Sequence, residues 1–164
     1  MGSPAEDTVG RQARPALVTV CAPAIGDPAP SFLLADSAGR KVALADHAGH
    51  PLVVLFWDPE CGYCRQMDHD LRVWDAASHQ HALVVISCGS LSRNGPAPMR
   101  SVILGDPTGE VARAYGVARP PAAFHVDAVG RIAAGPASCA PAVLHLLYSE
   151  LYPTAPPPGC VPRV

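Results

Sequence analysis

The sequence predicts an α/β domain built on a mainly parallel central sheet, and three stretches carry that reading. Leu52–Trp57 and Ala82–Ser87 are short, uninterrupted apolar runs rich in β-branched residues, the pattern of strands buried on both faces. Between them Met67, Leu71 and Trp74 recur at helical spacing, which predicts a crossover helix over residues 61–78.

The other elements follow in chain order. Residues 1–15 read as an irregular arm and 16–21 as an extra edge strand. Residues 32–34 and 41–44, joined through Asp36 to Gly39, read as a hairpin. A Gly-, Ser-, Asn- and Pro-rich loop spans 88–100, and 101–104 is a short strand. A short helix covers 109–115, and strands at 122–126 and 131–134 flank a turn at Asp127 to Gly130. Pro141 suits the first position of a last helix over 141–151, with Leu144, Leu147 and Leu151 on its buried side. The tail from Pro153 to Cys160 carries four prolines and reads as extended. The expected organisation is an arm at 1–24, one domain at 25–152 and a tail at 153–164.

The totals narrow the function. The 164 residues are 49% hydrophobic and 16% charged, a globular composition rather than a disordered one. A net charge of −2 with no basic block argues against nucleic acid and anionic membrane as partners. No apolar run reaches the length of a membrane span. Residues 1–7 have neither a basic start nor an apolar stretch, so they do not read as a signal peptide. Met1-Gly2-Ser3 resembles a cloning scar, which leaves a signal or membrane tether upstream open. Six cysteines suit an oxidising compartment, so the expected location is extracytoplasmic, periplasmic or cell-surface.

The chemistry points to Cys61-Gly62-Tyr63-Cys64. Asp58 and Pro59 stop the strand and the helix begins at or near Cys61. Free backbone N–H groups and the dipole at a helix N-terminus favour a thiolate. Cys61 is then the attacking thiol, and Cys64, a turn further in, resolves the mixed disulfide. The competing readings are half of a zinc site or an inert structural disulfide. Zinc is weakened because no second C-x-x-C and no trusted histidine spacing (47, 50, 69, 79, 81, 145) accompanies the pair. His125 is a ligand or base near the site, or a partly buried histidine with a hydrogen-bond partner.

Phe56-Trp57-x-x-x-Cys61-x-x-Cys64 resembles the active site of thioredoxin-like thiol–disulfide oxidoreductases. Ile25-Gly26-Asp27-Pro28-Ala29-Pro30-Ser31-Phe32-Leu33-Leu34 is similar to the entry segment of the TlpA/ResA branch and of the related peroxiredoxins, within the AhpC/TSA-related superfamily. Residues 36–44 and 49–54, the segment Tyr115-Gly116-Val117-Ala118-Arg119-Pro120-Pro121-Ala122-Ala123-Phe124 and the turn Asp127-Ala128-Val129-Gly130-Arg131-Ile132 extend the likeness over residues 25–150. Methylamine-utilisation-type redox proteins are similar as well. The resemblance implies a thioredoxin fold, a mixed sheet flanked by helices with an N-terminal β-hairpin extension. It implies electron exchange with protein thiols and disulfides and with an upstream redox partner, without a bound cofactor or metal. It also implies that Pro121 is the cis-proline facing the cysteines, with Pro120 and Trp57 beside it in substrate binding.

Several residues depart from the family pattern. Leu55 stands where thioredoxin carries a buried acid, so the proton of Cys64 needs another acceptor. Glu60 precedes Cys61, where an aromatic is common; an exposed charge there is worth at most about 1 kcal/mol. Gly62-Tyr63 replaces Gly-Pro and modulates redox poise. Pro120 has no N–H, which removes one donor of the usual substrate clamp. Three rivals remain. A thiol peroxidase needs Thr or Ser and an upstream Pro where Asp58 and Val54 stand. The others are a copper metallochaperone using Cys61, Cys64 and a histidine, and a non-catalytic docking domain of a membrane assembly. For the remaining cysteines, the strand order of the implied fold and the reach of the tail make a Cys139–Cys160 pair feasible, leaving Cys21 to meet Cys88 if the added strand joins the near edge; the competing readings are four free small hydrophobes or Cys160 as an intermolecular handle.

Overall fold

The computed structural model describes residues 21–77, 81–89, 91 and 99–149. Seven strands form one sheet in the order β2-β1-β5-β4-β3-β6-β7. They are β1 (Leu33–Asp36), β2 (Lys41–Ala43), β3 (Leu52–Trp57), β4 (Ala82–Ser87), β5 (Val102–Gly105), β6 (Ala122–Val126) and β7 (Ile132–Ser138). The helices are α1 (Gly62–Gln66), α2 (Asp68–Ala76), α3 (Glu110–Ala114) and α4 (Ala140–Ser149). This is the thioredoxin-like α/β architecture, with the β1–β2 hairpin added beyond β5.

β3 is buried along its whole length, and its alternating side chains build two cores. Leu52, Val54 and Phe56 pack with Val84, Ile86, Phe124 and Tyr115 on one face. Val53, Leu55 and Trp57 pack with Val85, Ala123, Met67, Leu71, Trp74, Val143 and Leu147 on the other. α3 covers the first face; α1, α2 and α4 cover the second. The Trp74 indole N–H donates to the Leu147 carbonyl at 2.8 Å and ties α2 to α4.

The sheet is less parallel than its apolar runs suggest. Only β3–β4 and β4–β5 pair in parallel. The β1–β2, β1–β5, β3–β6 and β6–β7 pairings are antiparallel. Burial on both faces makes a strand apolar throughout whichever way its neighbours run, and β3 has one neighbour of each kind.

Three further differences have local causes. The single helix expected over 61–78 is two, divided at Met67 (φ −90°, ψ 0°). There the chain tightens to an i→i+3 bond from the Met67 N–H to the Cys64 carbonyl. The strand expected to stop at Ala134 runs on to Ser138 through Gly135 and a cis Gly135–Pro136 bond. It is the last strand of the sheet, where proline is tolerated. Gly135 sits at φ 113°, and a Cβ there would come within 2.8 Å of the Ala123 carbonyl. α4 begins one residue earlier than expected, and Val143, not Leu144, is fully buried beside Leu147. Leu151, residues 1–20 with most of the expected edge strand, much of the 88–100 loop and the 153–164 tail lie outside the described residues.

Buried Asp106 sets the turn that starts α3. Its carboxylate accepts the Glu110 and Ala112 backbone N–H groups at 3.1 and 3.0 Å, and it is 1% exposed. Asp106→Ala strands both donors and is expected to destabilise the fold by about 2–4 kcal/mol in urea denaturation.

Candidate active site

The site is built where β3 ends. The Cys61 N–H donates to the Asp58 carbonyl at 3.1 Å and the Glu60 N–H to the Asp58 carboxylate at 2.9 Å. Asp58 therefore closes a tight turn between the strand and α1. Cys61 is the N-cap residue of α1, with extended backbone (φ −77°, ψ 121°), and its carbonyl accepts the first helical bond from Arg65. Cys64 follows one turn later, facing the sheet.

The two thiols have different surroundings. Cys61 is half-buried and Cys64 is fully buried. The Cys61 thiol donates to the Pro120 carbonyl at 3.5 Å. The Cys64 sulfur accepts from the Asp58 N–H at 3.5 Å. Burial pushes the Cys64 thiol up to about 12; neighbouring Cys61 and the Asp58 charge push the same way, against the Asp58 N–H. Both cysteines are free thiols.

The Pro120–Pro121 bond is cis. It lies at the start of β6, and the Phe56↔Ala122 register sets it beside the end of β3. Pro121 is buried and Pro120 half-buried. Trp57 lies in the core beneath the pair, 2% exposed, so it supports the cysteines from below and presents no surface to a substrate chain. Leu55 is fully buried in the same core. Glu60 and Gly62 are exposed, and Tyr63 is 64% exposed beside the cysteines.

His125 is elsewhere. It pairs with Val53 near the start of β3 and meets His81 edge-on at 4.7 Å. The strand length separates it from Cys61, so it is neither base nor ligand for the pair. Among the described residues no three His, Cys, Asp or Glu side chains form a group able to hold a metal ion.

Two residues acquire importance only in three dimensions. Asp58 looked like a strand terminator; the signal for more was its place three residues before Cys61, where an Asx turn would fold its carboxylate back. Cys88 follows β4, donates its N–H to the Trp57 carbonyl at 2.7 Å and has its thiol pushed up to about 11 by burial and by Asp106 and Asp58. The expected Cys21–Cys88 bridge is absent: both thiols are free. The sheet order explains why. β5, β1 and β2 occupy the side of β4 away from β3, leaving no edge beside Cys88 for a further strand. Cys21 instead leads into a segment packed at Gly116, where a Cβ would meet Ala22 at 2.6 Å. Cys139 is disulfide-bonded; its expected partner Cys160 lies outside the described residues.

Comparison with known proteins agrees with this geometry. The sequence profile of the AhpC/TSA family matches residues 25–134. The thiol-disulfide oxidoreductase ResA of Geobacillus thermodenitrificans (strain NG80-2) is 28% identical over 116 residues, covering 66% of this chain and 67% of the relative. A candidate thiol:disulfide interchange protein DsbE from Chlorobium tepidum superposes with a TM-score of 0.60 at 26% identity, over 79% of this chain and 96% of that one. The thioredoxin domain of a thiol-disulfide oxidoreductase from Bacteroides vulgatus superposes at 0.56 with 24% identity, over 68% and 86%. With its strand-to-helix cysteine pair, seven-stranded sheet and a family match over most of its length, this chain belongs to the AhpC/TSA family and, within it, to the thioredoxin-like thiol–disulfide oxidoreductases.

Proposed function

We propose that Cys61 and Cys64 exchange electrons with protein thiols and disulfides outside the cytoplasm. The observation that carries this reading is the inequality of the two thiols: one accessible at the head of α1, the other buried with its thiol pushed up to about 12. In the reducing direction the Cys61 thiolate attacks a substrate disulfide, forming a mixed disulfide and releasing one substrate thiolate. Cys64 then loses its proton and attacks the Cys61 sulfur, which forms the Cys61–Cys64 disulfide and releases the second substrate thiolate. The mixed disulfide forms beside Pro120 and Pro121. Pro120 offers a carbonyl but no N–H, so the substrate backbone is gripped from one side less than a non-proline residue would allow. The oxidising compartment rests on the six cysteines and on kinship with ResA- and DsbE-named proteins.

The proton of Cys64 needs an acceptor, and Asp58 is placed to serve. Its backbone already contacts the sulfur and its charge acts on the thiol. Asp58→Asn separates two roles. Loss of a base slows release of the mixed disulfide; loss of a mere negative neighbour lowers the thiol's pKa and speeds it. Slower release is the expected result, read in stopped-flow by single-turnover decay of a mixed disulfide at Cys61.

A peroxidase reading also fits the family name, but Asp58 stands where its Thr or Ser would be. Insulin disulfide reduction with dithiothreitol, run beside hydrogen peroxide consumption, tests the two. Insulin turnover lost in Cys61→Ser, with negligible peroxide turnover, is expected; the reverse would sink the oxidoreductase reading. In the reduced protein Cys61 should alkylate with iodoacetamide well before Cys64, and Cys64→Ser should accumulate mixed disulfides through Cys61.

The Cys64 shift also has a stability signature. The folded-state pKa is raised, so below about pH 9 both folded and unfolded chains keep the proton and its full contribution is present. Between about 9 and 12 the unfolded chain ionises first. Stability of the reduced protein should therefore fall as pH rises through that window, seen as a falling urea midpoint. Cys64→Ala should remove this component.

A further inference from the structure

The backbone beside the reactive sulfur has little to offer a substrate chain. Pro120 and Pro121 both lack an N–H. The Pro120 carbonyl accepts the Cys61 thiol at 3.5 Å, and the Pro121 carbonyl accepts the Cys139 N–H at 3.2 Å. Two consecutive residues therefore hold no donor, and each of their carbonyls already has a partner. Discrimination between substrates falls to side chains.

Two charged side chains flank the thiol. Glu60 precedes Cys61, Arg119 precedes Pro120, and both are exposed. Among the described residues neither is in an ion pair. They come from different sides of the cysteine, because β4 lies on one side of β3 and β6 on the other. Arg119 belongs to the segment that enters β6, and the residue after it meets the Cys61 thiol. Glu60 belongs to the 58–61 turn. Cys88, just past the end of β4, is pushed up by burial, by Asp106 and also by the Asp58 charge of that turn. The Asp58 carboxylate accepts the Glu60 N–H at 2.9 Å, so the turn carries two negative charges together. Arg65, the other cation near the pair, lies in the last turn of α1. The rim of the site is thus negative on the turn before Cys61 and positive on the segment before the prolines.

We infer that Glu60 and Arg119 are specificity-determining residues that read the order of charges around a substrate cysteine. The partner that fits is a disulfide-bearing segment with an acidic residue on one side of its cysteine and a basic residue on the other. This rests on the dithiol reading above. The Arg119 guanidinium takes the substrate carboxylate with two parallel hydrogen bonds, and the Glu60 carboxylate takes the substrate cation. The segment is then held in one direction across Cys61. With its charges exchanged, the same segment sets like charges together at both ends. Exposed pairs are individually weak, but two attractions and two repulsions bear on one choice. The two charge orders should therefore differ about three- to tenfold in rate at low salt.

The test uses the full chain and two synthetic peptides of identical composition. One has glutamate before and lysine after a central cysteine; the other has the two exchanged. Each cysteine is supplied as its mixed disulfide with thionitrobenzoate. The Cys61 thiolate of the reduced protein attacks the peptide sulfur, and the expelled thionitrobenzoate is followed in stopped flow. Equal net charge cancels non-specific attraction, and any change in Cys61 nucleophilicity affects both peptides alike, so the ratio of the two rates isolates charge order. One order should react about three- to tenfold faster in wild type. That ratio should fall toward one in about 1 M salt, where charges are screened beyond about 3 Å, and should invert in the double variant Glu60→Lys, Arg119→Glu. Equal rates for the two peptides in wild type, or a preference that the double variant retains, with the reaction still lost in Cys61→Ser, would overturn this inference and leave the active-site reading standing. Equal reaction in wild type and Cys61→Ser would overturn the active-site reading itself. Both charge changes fall at exposed positions, and circular dichroism checks that the variant folds.

Discussion

The structure depends on the complete burial of β3. Six consecutive residues, all at 2% exposure or less, can be hidden only if the sheet continues on both sides and layers cover both faces. Hydrogen bonding to β4 and β6 satisfies the first demand, and the two cores meet the second. Burial on this scale is the main source of stability. It also fixes the end of the strand to within a residue: Trp57 is core, Asp58 is half-exposed, and the chain must turn. The position of the cysteines is thus inherited from the position of the sheet.

The difference between the thiols follows from the same geometry. Cys64, Met67, Leu71 and Trp74 line one face across two helical segments. The tightened turn at Met67 keeps that 3-4-3 spacing aimed at Leu55 and Trp57. A cysteine included in this stripe is desolvated, and desolvation is the largest reason its thiol stays protonated. Cys61, three residues earlier, lies at the rim of the stripe and meets the Pro120 carbonyl.

What was legible in the sequence was whatever burial imprints on side-chain type. β3 and β4 have the bounds their apolar runs predict, and the hairpin, the Asp127–Gly130 turn and α4 lie within a residue or two at their described ends. Strand direction was less legible, because two-sided burial looks alike in parallel and antiparallel neighbours. The extension of β7 was hidden by Gly135 and Pro136, which read as a stop unless the strand is known to lie at an edge. The Cys21–Cys88 pairing failed because it required a free edge that the hairpin occupies. Asp58 matters through its backbone N–H, which meets the Cys64 sulfur, and a contact made by the main chain leaves no trace in residue type.

The absence of an acid at position 55 moves the proton problem rather than removing it. A carboxylate at Leu55 would sit in the core, where keeping it ionised costs several kcal/mol unless it is paired. Asp58 is half-exposed, and its carboxylate accepts the Glu60 N–H. The same residue then makes the turn that presents Cys61, hydrogen-bonds the Cys64 sulfur and lays negative charge against both Cys64 and Cys88. On the proposed reading, a base in the turn is tied to the geometry of the nucleophile, whereas a base in the sheet is not. On that reading, movement of the 58–61 turn on forming a mixed disulfide would shift the Asp58 N–H and charge that act on Cys64, which couples the first step of exchange to the second.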